Sequence, residues 1–97
     1  MLDLSRFTGF DWDEGNSTKN WTKHRVSTEE REEVFLNSPL LLLPDEAHSG
    51  TEARFYALGM TNTRRKLFVV FTSRGDLLRV ISARDMTPAE RRRYEEG

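Results

Sequence analysis

Residues 66–84 read KLFVVFTSRGDLLRVISAR and contain the strongest strand signal in the chain. Residues 66–73 are rich in β-branched and aromatic side chains, residues 77–84 are mostly aliphatic, and the two runs are separated only by Arg-Gly-Asp at residues 74–76. Runs of this composition are typical of strands, and a short connection containing Gly is typical of a hairpin. We therefore predict an antiparallel hairpin at the centre of the fold.

The chain before this hairpin continues the strand pattern. Residues 52–61 have the alternation of a strand, and residues 62–65 (Asn-Thr-Arg-Arg) have the composition of a turn. Residues 40–43, four Leu between two Pro, predict a short buried strand that is followed by a loop at residues 44–50. The last three predicted strands, residues 52–61, 66–73 and 77–84, are joined by tight turns and predict an antiparallel meander.

Two capping boxes predict helix starts outside the meander. Ser27 and Glu30 define the first, and we expect this helix to extend for about ten residues to Asn37, with an acidic outer face. Thr87 and Glu90 define the second, with Pro at the first helical position, which predicts a C-terminal helix.

The N-terminal segment has weaker signals. Residues 1–9 are expected to be a flexible lead-in, and aromatic residues at alternate positions within 7–12 favour a short strand. Acidic residues at a helix start predict a helix over residues 14–23, which carries Trp21 on its inner face and places His24 at its end.

Length and composition bound the class of protein. We expect a single domain over residues 1–97, with N-terminal helices and a C-terminal helix packed on a small antiparallel sheet, an α+β fold. The chain has no Cys, which excludes a disulfide framework and Cys-based metal or nucleophilic sites. Its apolar runs are too short to cross a bilayer and its first residues lack a secretory signal, so we expect a cytoplasmic location without membrane contact.

The formal net charge of −1 conceals an uneven distribution. Residues 1–50 hold five Lys or Arg and ten Asp or Glu, a balance of −5. Residues 51–97 hold ten and six, a balance of +4. A basic half favours a surface that faces a polyanion, although charges that only decorate a solvated surface are the commoner explanation.

Metal and nucleophile sites have little support in the sequence. The two His are His24 and His48, and the chain lacks the helical His pair with an intervening general base that zinc hydrolases use. The six Gly are scattered, so no Gly-rich phosphate loop is present. We expect neither a metal nor a cofactor.

Charged side chains inside predicted strands need an explanation, and Arg54, Arg79 and Arg84 are of this kind. Arg79 and Arg84 are an odd number of positions apart, so they point to opposite faces unless a bulge or the following turn redirects Arg84. The group either holds a phosphate backbone or consists of rim arginines that limit aggregation and pair with carboxylates. Residue chemistry leaves both explanations open.

The predicted last helix adds a second basic group. It contains Arg-Arg-Arg at residues 91–93, followed by an aromatic side chain that either stacks on a base or packs within the protein. The candidate RNA contacts in this helix are Arg91, Arg92 and Tyr94.

These residue types are sufficient for RNA cleavage without a metal. The 2′-hydroxyl must lose a proton, the leaving 5′-oxygen must gain one, and the charge on the phosphate must be stabilised. Lys23, His24 and Glu52 are types that transfer or orient protons, and Arg stabilises the charge. Glu52 and Arg54 are two positions apart and therefore share a face of a strand.

Several motifs follow one another along residues 10–94. They are FDWDEGN (10–16), KNWTKH (19–24), VSTEE (26–30), EAR (52–54), LFVVFT (67–72), RVISAR (79–84) and ERRRY (90–94). In their number and order these motifs resemble the BrnT toxin family, which makes the match specific.

The resemblance implies a RelE-like α+β fold and the activity of a bacterial toxin from a type II toxin–antitoxin pair, an endoribonuclease that inhibits translation. It also implies a partner, a BrnA-like ribbon–helix–helix antitoxin that neutralises the toxin. The resemblance further implies that the pair forms a hetero-oligomer, which contacts operator DNA only through the antitoxin.

The basic and polar positions of the family map onto six residues of this chain. They are Lys23, His24, Glu52, Arg54, Arg79 and Arg84. We expect the three arginines to bind phosphate and the other three to transfer or orient protons. One departure is Arg25, which stands where the family usually has Gly, at the point where a helix stops and a positive φ is favourable. The turn is therefore either built differently or mildly strained.

Two further functions stay open. One is a non-catalytic antitoxin-binding module that acts in autoregulation of its operon, and the other is a nucleic-acid-binding protein with no antitoxin. Cleavage of RNA in the presence of EDTA separates the enzyme from the module, and a neighbouring reading frame with a ribbon–helix–helix pattern decides the third case. We expect binding to RNA to weaken with salt despite the net charge of −1.

Overall fold

The computed structural model describes residues 4–12, 21, 23–48, 50 and 53–97. It contains the strands β1 (Gly9–Phe10), β2 (Leu41–Pro44), β3 (Arg54–Met60), β4 (Lys66–Arg74) and β5 (Leu77–Asp85). They form a five-stranded sheet with the order β1-β5-β4-β3-β2. Strands β2 to β5 pair antiparallel with their neighbours in sequence, so the predicted hairpin and meander are confirmed.

Strand β1 corrects the expectation of an all-antiparallel sheet, because it pairs parallel with β5. Gly9 lies opposite Leu77, and the Asp11 N–H donates to the Leu78 carbonyl at 2.9 Å. The chain leaves β1 for the opposite edge of the sheet and then builds the meander back towards it. The sheet is therefore mixed, with β1 at one edge and β2 at the other.

Strand β2 also differs from the prediction of a buried strand at residues 40–43. It lies at the sheet edge, where its three leucines are half-buried and Pro44 is exposed. Pro has no N–H to donate to a neighbouring strand, so an edge position suits it.

Helix α1 (Thr28–Leu36) and helix α2 (Pro88–Glu96) begin at the two predicted capping boxes. The Ser27 hydroxyl accepts from the Glu30 N–H at 3.1 Å, and the Glu30 carboxylate accepts from the Ser27 N–H at 3.0 Å. The same reciprocal pair of hydrogen bonds opens α2. The prediction of these two helices is confirmed.

The predicted helix over residues 14–23 lies mostly outside the described residues. Trp21, Lys23 and His24 are helical, and the Arg25 N–H donates to the Trp21 carbonyl at 2.9 Å. Trp21 is 47% exposed, so its expected place on an inner face is wrong. The Arg25 guanidinium lies over its ring, 5.5 Å from the centroid, and this surface cation–π contact takes the place of core packing.

Two short 3₁₀ turns, Leu4–Arg6 and Glu46–His48, lie outside the sheet and helices. The first falls in the expected lead-in, and its Leu4 packs against the main core together with Phe7. The second falls in the segment that was predicted to be a loop.

The face of the sheet that packs against α1 carries the main core, and we call it the core face. The buried residues of the main core are Val26 before α1, Val34 in α1, and the sheet residues Ala57, Leu67, Val69, Phe71, Leu78, Val80 and Ala83. Phe71 is fully buried and contacts Phe35 edge-on at 5.1 Å and Phe55 face-on at 5.6 Å between centroids. A Cβ at Gly59 would meet a methyl of Val34 at 2.7 Å, so Gly59 permits α1 to pack closely on β3.

Arg31 is a polar residue of this core, with only 1% exposure. Its guanidinium lies over the Trp12 ring at 4.6 Å, and its Nη2 donates to the Thr28 hydroxyl at 3.2 Å. Burial lowers the pKa of Arg31, because the charged form is desolvated. The structure therefore buries the whole side chain, aliphatic stem included.

The acidic side of α1 was expected to be an outer face, and in the structure its carboxylates bind groups in other segments of the chain. Glu32 accepts from the Trp12 indole N–H at 2.6 Å, and Glu33 accepts from the Asn62 N–H at 3.0 Å. Glu30 pairs with Arg65 at 3.3 Å. Three carboxylates of α1 are thus bound to groups outside the helix.

The opposite face of the sheet is covered at one end by α2. Tyr94 is buried there with Leu58 and Met86, and the half-buried Leu41 and Phe68 pack against them. This smaller cluster fixes α2 at the end of the sheet where β4 begins.

A bulge in β5 decides where its arginines point. Phe71 lies opposite Val80 while Val70 lies opposite Ser82, so Ile81 is an extra residue in β5. The extra residue brings Arg79 and Arg84 to the same face of the sheet, the face opposite α1. The predicted exception to simple alternation is confirmed.

Candidate functional site

Three residues form a row across the middle strands of the face opposite α1. Thr72 of β4 lies opposite Arg54 of β3 on one side and opposite Arg79 of β5 on the other. Residues directly opposite each other in antiparallel strands project to the same side, so the two arginines flank Thr72 about 10 Å apart at their Cα atoms. We call Arg54, Thr72 and Arg79 the arginine row, and their face of the sheet the arginine face.

The centre of the arginine row is rigid. Thr72 is only 3% exposed, and its hydroxyl donates to the Ala53 carbonyl at 2.7 Å, next to Arg54 in sequence. This bond links β4 to the residue that precedes β3. The spacing between the Cα atoms of the two arginines is therefore set by sheet pairing on both sides and by a part-buried side-chain hydrogen bond.

Arg79 faces a carboxylate from the edge of the sheet. Its Nη1 lies 3.7 Å from a carboxylate oxygen of Asp11, and the Asp11 backbone is held by the hydrogen bond to β5. Ion pairs at this exposure contribute only about 0–1 kcal/mol. The contact orients Arg79 weakly and a stronger anion would displace it.

Arg84 lies on the same face but is tightly bound to α2. Its two Nη atoms donate to the two carboxylate oxygens of Glu90 at 2.8 and 2.9 Å, and its guanidinium lies 4.2 Å from the centroid of Phe68. Hydrogen bonds from Arg84 lower the pKa of Glu90 below its ordinary range, and the carboxylate in turn raises the pKa of Arg84. Its partner Phe68 lies four residues before Thr72 in β4, so Arg84 is about 13 Å along the strands from the arginine row.

The Lys23–His24 pair lies at the end of a helical turn whose last residue is strained. Lys23 is exposed and His24 is half-buried. Arg25 has a φ of 56°, in the left-handed region that favours Gly. Of the two alternatives for this position, the strained turn is the one observed.

Residues 23–25 are called the Lys23–His24 turn below, and Arg65 holds this turn against the sheet. Its guanidinium donates to the His24 carbonyl at 3.1 Å and to the Arg25 carbonyl at 2.7 Å. It also donates to both carboxylate oxygens of Asp85 at 2.7 and 3.0 Å and pairs with Glu30. These hydrogen bonds are the largest cause of the lowered pKa of Asp85, and the charges of Arg65 and His24 lower it further.

Arg65 was missed in the sequence because it stands in a predicted turn beside another Arg. The predicted hairpin contains a usable signal, since its register places Asp85 opposite the first residues of β4. An Arg just before one strand and an Asp at the end of its partner are expected to meet.

The six predicted site residues therefore fall into two described groups, with one residue outside the described part. Arg54 and Arg79 lie together in the arginine row. Arg84 lies on the same face at the far end, and the Lys23–His24 turn is attached through Arg65 to Asp85, the residue after Arg84. Glu52 lies outside the described residues.

The three predicted RNA contacts of α2 also divide. Arg91 and Arg92 are exposed. Tyr94 is 5% exposed, and its hydroxyl donates to the Pro39 carbonyl at 2.7 Å. Desolvation raises the pKa of Tyr94. Of the two roles that the sequence leaves open for Tyr94, packing is the one observed.

The described part of the chain shows no group of three or more His, Asp or Glu side chains placed to hold a metal ion. Within those residues no helix has the length and apolar character needed to cross a membrane.

Comparison with known proteins yields one family match. The family described as "Ribonuclease toxin, BrnT, of type II toxin-antitoxin system" matches residues 12–90, about four fifths of the chain. The match includes all three residues of the arginine row and the Lys23–His24 turn. No curated protein matches the chain significantly.

Proposed function

The chain belongs to the BrnT family of ribonuclease toxins from type II toxin–antitoxin systems, and we propose that it is a metal-independent endoribonuclease that inhibits translation. The arginine row carries this proposal. It presents two guanidinium groups on one face of a sheet, on either side of a buried Thr. Guanidinium groups bind phosphate oxygens through paired N–H donors, and sheet pairing fixes the Cα positions from which these two side chains extend.

We assign the binding of an RNA phosphate to Arg54 and Arg79. The Asp11 carboxylate near Arg79 is 3.7 Å away, a contact weak enough to yield to a phosphate. Arg84 stabilises charge on the scissile phosphate once RNA displaces Glu90 from its guanidinium, while Arg54 and Arg79 bind another phosphate of the same strand. The row and Arg84 are about 13 Å apart along the strands, so the RNA extends over several nucleotides across the arginine face.

We assign proton transfer to Lys23 and His24, and an orienting role to Glu52. In this mechanism a base of the Lys23–His24 pair takes the proton of the 2′-hydroxyl, whose oxygen attacks the adjacent phosphorus. The bond from phosphorus to the 5′-oxygen breaks as that oxygen receives a proton from the other residue of the pair, which leaves a 2′,3′-cyclic phosphate. All of these proton movements use side chains, as metal-independent cleavage requires.

Cleavage of RNA by the purified chain in EDTA tests this function. We expect His24→Ala to lower the rate of cleavage and Arg54→Ala or Arg79→Ala to weaken RNA binding mainly. The matched control is Arg93→Ala, which removes an exposed arginine of α2. An unchanged rate for His24→Ala and unchanged affinity for both row variants, in correctly folded proteins, would contradict the proposal.

Family membership implies an antitoxin partner. We propose that it is a BrnA-like ribbon–helix–helix protein, encoded beside the toxin, that neutralises it in a cytoplasmic hetero-oligomer of a bacterial cell and alone contacts operator DNA. We also assign the fold to the RelE-like type, which the packing of α1 and α2 on opposite faces of the sheet supports. Relief of growth arrest by the neighbouring gene tests the partner.

The bidentate pair between Arg84 and Glu90 favours a second candidate, a non-catalytic antitoxin-binding module. In that case the arginine serves only to hold α2 on the sheet. Glu90→Gln separates the two candidates, because Gln keeps the oxygen that caps the Thr87 N–H but loses the charge that holds Arg84.

If Arg84 binds RNA, Glu90→Gln is expected to raise RNA affinity by about twofold to tenfold at low salt, since one cation is released for phosphate. The matched control is Glu95→Gln, which makes the same change of charge on α2 and frees Lys66 instead. Equal effects of the two variants would favour the module.

A further inference from the structure

Arg65 contacts three separate parts of the molecule with one guanidinium. It donates to the carbonyls of the Lys23–His24 turn, to Asp85 at the end of β5, and to Glu30 in the first turn of α1. Its side chain is 26% exposed, so these bonds are partly shielded from water.

The contacts with the turn have a clear physical reason. The last carbonyls of a helix have no partners within the helix, and a positively charged donor satisfies them. Arg65 supplies two donors, to the His24 carbonyl at 3.1 Å and to the Arg25 carbonyl at 2.7 Å. The turn has no Gly to relax it, because Arg25 adopts a left-handed φ of 56°. A non-Gly residue in this region is strained and persists only where its surroundings hold it.

The contacts with the carboxylates fix the guanidinium itself. Asp85 accepts two bonds, and Glu30 lies 3.3 Å away on the other side. Glu30 is in turn held by the Ser27 N–H in the capping box of α1. The guanidinium is thus bound to β5 through Asp85 and to the start of α1 through Glu30. Because the same guanidinium also binds the turn, β5 and α1 determine where the turn lies.

We propose that Arg65 is a positioning residue that holds the Lys23–His24 turn at a fixed position relative to β5. The imidazole of His24 depends on Arg65 for the position that catalysis requires. This inference rests on the function proposed for His24. Arg65 acts through the turn and does not touch RNA. A Lys cannot replace it, because one ammonium group lacks the planar fork that serves two carbonyls and a carboxylate at once.

A double-mutant cycle between Arg65 and His24 tests the proposal. Cleavage of RNA is measured under single-turnover conditions for the wild type, Arg65→Lys, His24→Ala and the double variant, with RNA affinity and melting temperature measured in parallel. We expect Arg65→Lys to lower the rate constant by about tenfold to a hundredfold, the cost of a displacement near 1 Å, with RNA affinity within about twofold. In the His24→Ala background the same substitution is expected to cause no further loss.

Lys66→Gln is the matched control for this cycle. Lys66 is the next residue in the chain and also forms an ion pair, with Glu95 at 2.9 Å, but it does not contact the turn. We expect its rate constant to equal that of the wild type. NMR of the Arg25 backbone amide supplies a readout of the turn, and we expect it to shift in Arg65→Lys and not in Lys66→Gln.

Each outcome decides between positioning and general support of the fold. An equal loss of rate for Arg65→Lys in both backgrounds would show that Arg65 acts through the fold, and full activity of Arg65→Lys would show that the turn does not need it. Either result overturns the proposal. If His24→Ala alone cleaves at the wild-type rate, the function proposed for His24 fails, whereas the NMR readout still reports whether Arg65 holds the turn.

Discussion

The two faces of the sheet are built from the same strands, but one face forms the core and the other presents charged side chains. On the core face, odd-numbered residues of β4 such as Leu67, Val69 and Phe71 are fully buried under α1. On the arginine face, the even-numbered neighbours alternate with them and include Thr72, whose partners across the sheet are both Arg. One strand thus supplies the stability of the fold through one set of side chains and presents charge through the other. Substitutions on the two faces should therefore separate stability from RNA binding.

A pair of phenylalanines in β4 gives the largest test of this separation. Phe71→Ala on the core face removes a fully buried ring that contacts two other rings, and should lower the free energy of unfolding by about 3–5 kcal/mol. Phe68→Ala, a change of the same size on the half-buried arginine face, should cost clearly less. Urea unfolding of both variants measures the difference. Equal losses would mean that the arginine face carries as much of the core as the other face.

The second test removes charge from the arginine face. Arg79→Ala should change stability by at most about 1 kcal/mol, because its ion pair with Asp11 is long and partly exposed. It should weaken RNA binding across different sequences and reduce the slope of log affinity against log salt by about one, the effect of one lost phosphate contact. Fluorescence titration of a short RNA at several salt concentrations measures both. The control is Arg93→Ala, which removes an exposed arginine from α2. An equal loss of RNA affinity in this control would mean that the arginine row has no special role in RNA binding.

Much of this arrangement was predictable because its signals are local. The capping boxes at Ser27 and Thr87 and the hairpin around Gly75 each depend on a few adjacent residues, and all three are observed. The parallel pairing of Gly9 with Leu77 depends on parts of the chain far apart in sequence, so no local pattern indicates it. Trp21 was misplaced because hydrophobicity alone does not show that a neighbouring Arg covers its ring at the surface.

The candidate site was less predictable than the fold, for the same reason. The residue types were identified, but their grouping depends on the register of the sheet and on the extra residue Ile81, which brings Arg79 and Arg84 to one face. The role of Arg65 requires that β4 and β5 be paired before its contact with Asp85 is visible. Residue chemistry names candidates, whereas strand register decides which of them meet.

The third test uses pH and concerns the ion pairs at the end of the sheet. Hydrogen bonds from Arg65 and Arg84 lower the pKa of Asp85 and of Glu90 below their ordinary values of 3.8 and 4.5. A carboxylate with a lowered pKa in the folded state binds protons less readily there than in the unfolded state. Its stabilisation is therefore fully present above the ordinary value and is lost as the pH falls through the lowered one.

We expect the free energy of unfolding to fall as the pH drops below about 4.5. Asp85→Asn should reduce this fall, because it removes one of the groups that titrate. Urea midpoints at a series of pH values measure the effect. An identical pH dependence in Asp85→Asn would mean that the pair with Arg65 contributes nothing to stability.

The smallest expected effect concerns Arg25 and the strain beside the Lys23–His24 turn. Arg25→Gly relieves a left-handed φ of 56°, which favours the folded state, but it also gives the unfolded chain more freedom and removes the contact with Trp21. These contributions are of similar size and opposite sign, so the free energy of unfolding should change by less than about 1 kcal/mol. Arg25→Ala, which loses the same contact but keeps the strain, is the matched control and should be the less stable of the two. If Arg25→Ala equals or exceeds Arg25→Gly in stability, the left-handed conformation carries no strain, and Arg65 has no strained turn to hold.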